Sequence, residues 1–274
     1  MNYAKQLKAY GDQLEAIGED RENLVYVLRE LKKWSTLDFI QYQNREVTPE
    51  DQELLKDIMA ELSQHRSPQY IVGQAYFRDL VLSVDKRVLI PRPETEELVD
   101  LILAENSTQS LRLLDIGTGS GAIAISLKKE RPDWDVFASD ISPEALALAN
   151  YNAEQLGCQI TFVESDIFRS ITGSFDIIVS NPPYIAFEDK EEVGINVLKS
   201  EPHLALFAEE NGYAIYRKII EEAGFYLKEN GKLYFEIGYK QGKVIREMLE
   251  SSFPHKRVRL LQDYFGKDRM ICLD

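Results

Sequence analysis

At 274 residues the chain is long for a single core and suits one larger domain with a smaller one beside it. It is 44% hydrophobic and 28% charged; no run approaches the roughly eighteen apolar residues of a membrane span, and "MNYAKQLKAYGDQLEAIGED" lacks the apolar centre of a secretion signal, so a cytoplasmic protein is expected. The formal net charge of −14 divides into −3 over residues 1–90 and −11 over 91–274, which argues against bulk phosphate-backbone binding and against direct nucleic-acid partners.

Helical periodicity dominates the first sixty-five residues. In "DRENLVYVLRELKKW" the residues Leu24, Val27, Leu28 and Leu31 recur at helical spacing behind Asp20 as a cap. "TPEDQELLKDIMAEL" starts a second helix, with Thr48 as cap, Pro49 in its first turn and Leu54, Leu55, Ile58 and Leu62 on one face. A small helical bundle domain over residues 1–68 follows. Residues 69–90 read as an extended linker in which "VDKR" supplies a hairpin turn.

After the short helix in "PRPETEELVDLILAEN", strands and helices alternate over residues 91–274. Strands are expected at Leu111–Asp115, Asp135–Ser139, Ile160–Glu164, Phe175–Ser180, Lys232–Ile237, Arg257–Leu261 and Arg269–Leu273. "SPEALALANYNAEQL" is a helix capped by Ser142. Alternation of this kind predicts an α/β fold: a Rossmann-like seven-stranded sheet, mainly parallel and covered on both faces. Only "LQDYFGKD" separates the last two strands, so they should pair antiparallel, the last strand running against the rest. Cys158 and Cys272 belong to no metal-ligand cluster and read as buried thiols, and no metal site is expected.

"LLDIGTGSGAIAISL" places Gly117, Thr118, Gly119, Ser120 and Gly121 between the first strand of the sheet and a helix, where glycines let the backbone approach a ligand. Gly117, Gly119 and Ala122 also satisfy the dinucleotide-binding pattern, so the loop alone does not choose between NAD and another nucleoside. Asp140 ends the second strand, where a carboxylate can accept both ribose hydroxyls. Asp166 follows the third strand, with Phe168 as an apolar face for an adenine ring, and Asp115 adds a carboxylate suited to a cationic donor. Each alone is more often a surface or capping residue; their recurrence at successive strand ends favours a site.

The fourth strand runs into "SNPPY". Prolines carry no N–H, so this corner displays carbonyl oxygens without competing donors. The Asn181 side-chain oxygen and the Pro182 carbonyl can accept both hydrogens of a planar –NH₂ group. Such a nitrogen is a poor nucleophile until its hydrogens are held so that its lone pair faces an electrophile, and Tyr184 can lie on the substrate's π-system.

"NPPY" with "LDIGTGSGA" resembles the class I S-adenosylmethionine-dependent amino-methyltransferases. "PQYIVGQAYF", "LIPRPETEELV", "EPHLALFAEENGYAIYRKI" and "EIGYKQG" narrow the resemblance to the bacterial release-factor glutamine N5-methyltransferases, the PrmC/HemK family. That resemblance implies methylation of the glutamine in the GGQ motif of class 1 peptide chain release factors, with S-adenosylhomocysteine as by-product. It implies cofactor contacts from residues 117 to 121, Asp140, Phe168 and Asn181, and a glutamine cradle from Asn181, Pro182, Pro183 and Tyr184. Arg92, Glu94 and Thr95 of "PRPETE" would border the site. The rivals are an adenine-N6 nucleic-acid methyltransferase with the same corner, an NAD-dependent oxidoreductase, and an inert nucleoside fold carried by a binding bundle. His65, His203 and His255 lack motif context, and none is expected to act as base.

Overall fold

A computed structural model of the chain describes residues 1–106 and 110–274, and these divide into two compact units. The first comprises Met1–Gln74 together with Val193–Glu201. Its helices Tyr3–Glu15, Glu22–Lys32 and Pro49–Leu62 pack Leu7, Leu14, Leu24, Val27, Leu28, Leu55, Ile58 and Leu62 into one core. Thr48 caps the third of these by accepting the Asp51 N–H at 3.1 Å. Asp20, the expected cap, lies one residue outside the observed N-cap, Arg21, and accepts the Glu22 N–H at 2.9 Å. The segment Val193–Glu201 joins this unit through polar bonds: Asn196 donates to the buried Glu19 carboxylate at 2.8 Å, and the Ser200 hydroxyl donates to the His65 carbonyl at 3.0 Å.

The second unit comprises Ala75–Glu192 and Pro202–Asp274. The hairpin β1 (Gln74–Phe77) and β2 (Leu80–Ser83) turns at Arg78 and Asp79, where Arg78 takes φ 51°. "VDKR" follows this hairpin instead of making its turn, and Pro68–Val72 ahead of it is a helical turn, not extended chain. Phe77, Leu80 and Leu82 bury in the main core, because their alternation gives the hairpin one apolar face.

The central sheet contains β3 (Arg112–Ile116), β4 (Asp135–Asp140), β5 (Thr161–Glu164), β6 (Phe175–Ser180), β7 (Leu227–Glu236), β8 (Val258–Gln262) and β9 (Asp268–Leu273). Their spatial order is β5-β4-β3-β6-β7-β9-β8, and β9 alone runs against the other six strands. The strands are apolar on both faces for a physical reason: successive residues serve opposite cores. Leu113, Val136, Ile177, Val179 and Tyr234 pack under the helices Pro93–Glu105 and Ala122–Glu130. Leu114, Ile178, Leu233, Phe235 and Ile271 pack under Ala214–Tyr226 and Gly242–Ser252. Strand order reverses between β3 and β6, which opens a crevice at their carboxyl ends.

Candidate active site

That crevice is a cavity of about 460 Å³. Its floor is the glycine loop: the Gly117 and Thr118 amides donate to the Ser139 carbonyl at 2.8 and 2.9 Å, tying the loop to the end of β4. Gly117, Gly119 and Gly121 have φ of 73°, 55° and 84°, the left-handed region that glycine adopts without strain. A Cβ at Gly117 or Gly119 would meet no atom within 4 Å, so those two present open backbone. At Gly121 a Cβ would lie 2.8 Å from Ile125 Cδ1, so this glycine serves close packing of the helix.

Asp140 lines the cavity and also builds it. Its Oδ2 accepts the Gly119 N–H at 2.9 Å and its Oδ1 accepts the Ser142 N–H at 3.0 Å. Burial pushes its carboxyl above the ordinary range, while these backbone donors pull the other way. A carboxylate oxygen keeps a second lone pair, so ribose hydroxyls can share Asp140 with the loop.

The other carboxylates divide. Asp166 is exposed and lines the cavity. Asp115 lies under the loop, fully buried and outside the lining; its Oδ2 accepts the Thr118 hydroxyl at 2.7 Å, and burial raises its carboxyl to about 7. Its place is support of the loop. Phe168 is likewise absent from the lining: it is 1% exposed and stacks on Tyr226 at 4.4 Å between ring centroids. The cause is the turn before it, where Ile167 takes φ 54° and its carbonyl accepts the Ser165 hydroxyl at 2.9 Å. That turn sends the larger ring into the core and leaves Ile167, with Ile141 after Asp140, as the apolar walls of the cavity.

Ser180, Asn181, Pro182 and Pro183 form the opposite wall, with Arg92 and Thr95; Glu94 does not reach it. Asn181 Nδ2 donates to Thr95 Oγ1 at 3.1 Å, and the Thr95 hydroxyl donates to Glu236 Oε2 at 2.6 Å. Among the described residues, none donates to Asn181 Oδ1 or to the Pro182 carbonyl. Tyr184 is outside the lining; burial, and next the Glu236 charge, raise its phenol to about 12, so it is neutral at physiological pH and no base. Its carbonyl accepts from Gln241 Nε2 at 3.0 Å. Gly212, at φ 85°, packs so closely that a Cβ there would sit 2.1 Å from that carbonyl.

Two residues escaped sequence reasoning. Glu236, 1% exposed at the end of β7, sits inside the quoted "EIGY", but nothing local signalled a buried carboxylate; burial raises it to about 7 against the Thr95 hydrogen bond. Asn152 is read as one helical residue among many, yet its amide donates to the Ser120 and Ser83 carbonyls and accepts the Ser83 N–H, pinning the glycine loop to β2.

The Methyltransferase small domain family model matches residues 95–205, and the PrmC N-terminal domain model matches residues 5–73. A release factor glutamine methyltransferase of Streptococcus pneumoniae is 54% identical over 275 residues, covering 100% of this chain and 99% of its own. The chain belongs to the release factor glutamine methyltransferase family. A second member, from Lactococcus lactis, is 54% identical over 95% of this chain and 96% of its own. A solved methyltransferase structure from Pyrococcus furiosus shares the fold at TM-score 0.54 and 21% identity, over 70% of this chain and 87% of that one.

Family membership makes the protein a methyltransferase that uses S-adenosylmethionine. The cavity fits that donor: open backbone at Gly117 and Gly119, a carboxylate at Asp140, and apolar walls at Ile141 and Ile167 suit a nucleoside.

Proposed function

We propose that the protein methylates the side-chain amide nitrogen of the glutamine in the GGQ motif of class 1 peptide chain release factors, in the cytoplasm. The observation that carries this reading is the Asn181 corner: two acceptors, Asn181 Oδ1 and the Pro182 carbonyl, on the wall of a cavity whose floor suits a nucleoside. The family relatives' shared name supports the choice of substrate.

When bound, S-adenosylmethionine supplies an electrophilic methyl group. Gly117, Gly119, Asp140, Asp166 and Ile167 hold it, with Asp115 bracing the loop from beneath. Asn181 and Pro182 accept the two hydrogens of the glutamine amide; the acceptors gain strength as that nitrogen becomes more acidic, so they stabilise the transition state more than the ground state. Pro183 and Tyr184 shape the corner, and Arg92 and Thr95 close its side. The helical domain over residues 1–68 orients the release factor, a division of labour supported by every cofactor motif lying after Leu114 in the sequence.

The experiment is a methyl-acceptor comparison. Release factor, DNA and RNA are incubated with the enzyme and labelled donor; label on the release factor supports the reading, and label on adenine in nucleic acid replaces it with the rival amino-methyltransferase.

A further inference from the structure

We infer that Glu236 is a positioning residue of the methyl-transfer site: acting through Thr95, it sets which end of the Asn181 amide meets the substrate. The inference rests on the function proposed above.

An asparagine amide is nearly symmetric in shape, so packing alone does not decide whether its oxygen or its nitrogen faces a given neighbour. Hydrogen-bond polarity does. A threonine hydroxyl has one proton. Here that proton goes to Glu236 Oε2 at 2.6 Å, a short bond to a group that accepts strongly when ionised. While Glu236 is ionised that proton is committed, so Thr95 Oγ1 can only accept, and what it accepts is Asn181 Nδ2–H at 3.1 Å. Turned the other way round, the amide would set Oδ1 against the lone pairs of Thr95. The relay thus commits Nδ2 to Thr95 and leaves Oδ1 as the substrate's acceptor.

Three separate elements supply the three groups: the first turn of Pro93–Glu105, the end of β6 and the end of β7. Thr95 and Glu236 are both buried. Around the Glu236 carboxylate, Arg269 of β9 is the nearby cation, Glu94 opposes it, the Asn181 amide also favours its charged form beside Thr95, and the Tyr184 phenol faces it. The Tyr216 hydroxyl donates to the Glu236 backbone carbonyl at 2.7 Å, so it does not satisfy the carboxylate. Burial still outweighs these partners and raises the carboxyl to about 7, so keeping it at a strand end is costly. The polarity it imposes on Thr95 is what it contributes.

The test is a set of variants read by single-turnover rate on release factor and by calorimetric donor affinity. Glu236→Gln offers Thr95 either an acceptor or a donor, and Thr95→Val deletes the relay. Each should lower the rate about ten- to a hundredfold with donor affinity changed less than about threefold, while Thr95→Ser should stay within about threefold of wild type. In an Asn181→Ala background Glu236→Gln should cost no further rate, because it acts through the missing amide. In protein labelled with ¹⁵N-asparagine, the Asn181 side-chain NH₂ should be protected from exchange, and Thr95→Val should reduce that protection.

A wild-type rate in Glu236→Gln, rate losses that multiply in the double variant, or donor affinity falling in step with rate would each overturn the inference. Should Glu236→Gln fold poorly, the Thr95→Val and Thr95→Ser pair decides by the same criteria. A wild-type protein that leaves glutamine unmethylated refutes the proposed function instead, and the exchange measurement still judges the relay.

Discussion

Asp140 Oδ2 and the Gly119 amide are 2.9 Å apart and hydrogen-bonded, so the carboxylate at the end of β4 and the glycine loop after β3 are one structural unit. A substitution at either position therefore acts on both.

Asp140→Ala removes the acceptor for Gly119 and Ser142 as well as the proposed acceptor for ribose. Donor affinity should fall by about 2–4 kcal/mol, since each hydrogen bond to a charged group is worth about 1.5–3 kcal/mol. Asp140→Asn keeps one acceptor oxygen and should lose less. Titration calorimetry with the donor checks both; unchanged affinity in Asp140→Ala would place the ribose elsewhere.

The two glycines that look alike in sequence should fail differently. Gly119→Ala puts a methyl into open space at φ 55°, so donor binding should suffer, with only about 1–2 kcal/mol of stability lost to strain. Gly121→Ala, 2.8 Å from Ile125 Cδ1 and 3.3 Å from Ala149 Cβ, should lose about 2–4 kcal/mol of stability from overpacking and strain together. Denaturant melts and donor titrations on the pair separate the two modes.

How far the sequence reached depends on the range of the interaction. The sheet strands were legible to within a residue or so, except that β7 begins at Leu227 where Lys232 was expected. The antiparallel last strand followed from the short "LQDYFGKD" connection. The glycine loop, Asp140 and "NPPY" were legible because their residue types are tied to backbone geometry. Phe168 was misplaced into the cavity because the left-handed turn at Ile167 carries no glycine to announce it. The Thr95 to Glu236 bond spans 141 positions, and no local pattern encodes such a distance.

Stability should decline as pH rises from about 4 toward 8. Asp115 and Glu236 are each raised by burial to about 7, so the folded state holds protons that the unfolded chain has released at its ordinary carboxylate values. Their contribution is complete below the unfolded values and is lost as pH climbs through about 7. Glu105 works oppositely: Arg259 holds it low, and its contribution is lost as pH falls through that depressed value. Asp115→Asn should flatten the decline in denaturant-measured stability, and an unchanged slope would deny Asp115 its part in it.

Gly212→Ala should spare donor binding and depress turnover, because its Cβ would displace the Tyr184 carbonyl and with it the proline corner. Equal loss of affinity and rate would show instead that the whole cavity had collapsed.

At Asn181 itself, Asn181→Ala keeps the prolines and removes one of the two proposed acceptors of the amide hydrogens. The single-turnover rate at saturating donor should fall by about a hundred- to a thousandfold, equivalent to roughly 3–4 kcal/mol of transition-state stabilisation. Asn181→Asp restores an acceptor but loses the donor to Thr95, so it should recover only part of the rate, in a pH-dependent way.

The most direct measurement is mass spectrometry of a class 1 release factor after incubation with the wild-type protein and S-adenosylmethionine, followed by fragmentation of the GGQ peptide. The expected result is the mass of one added methylene, localised to the glutamine side chain and absent with Asn181→Ala. An unmodified glutamine under conditions where the donor is bound, or a methyl group found on any other residue, would contradict it.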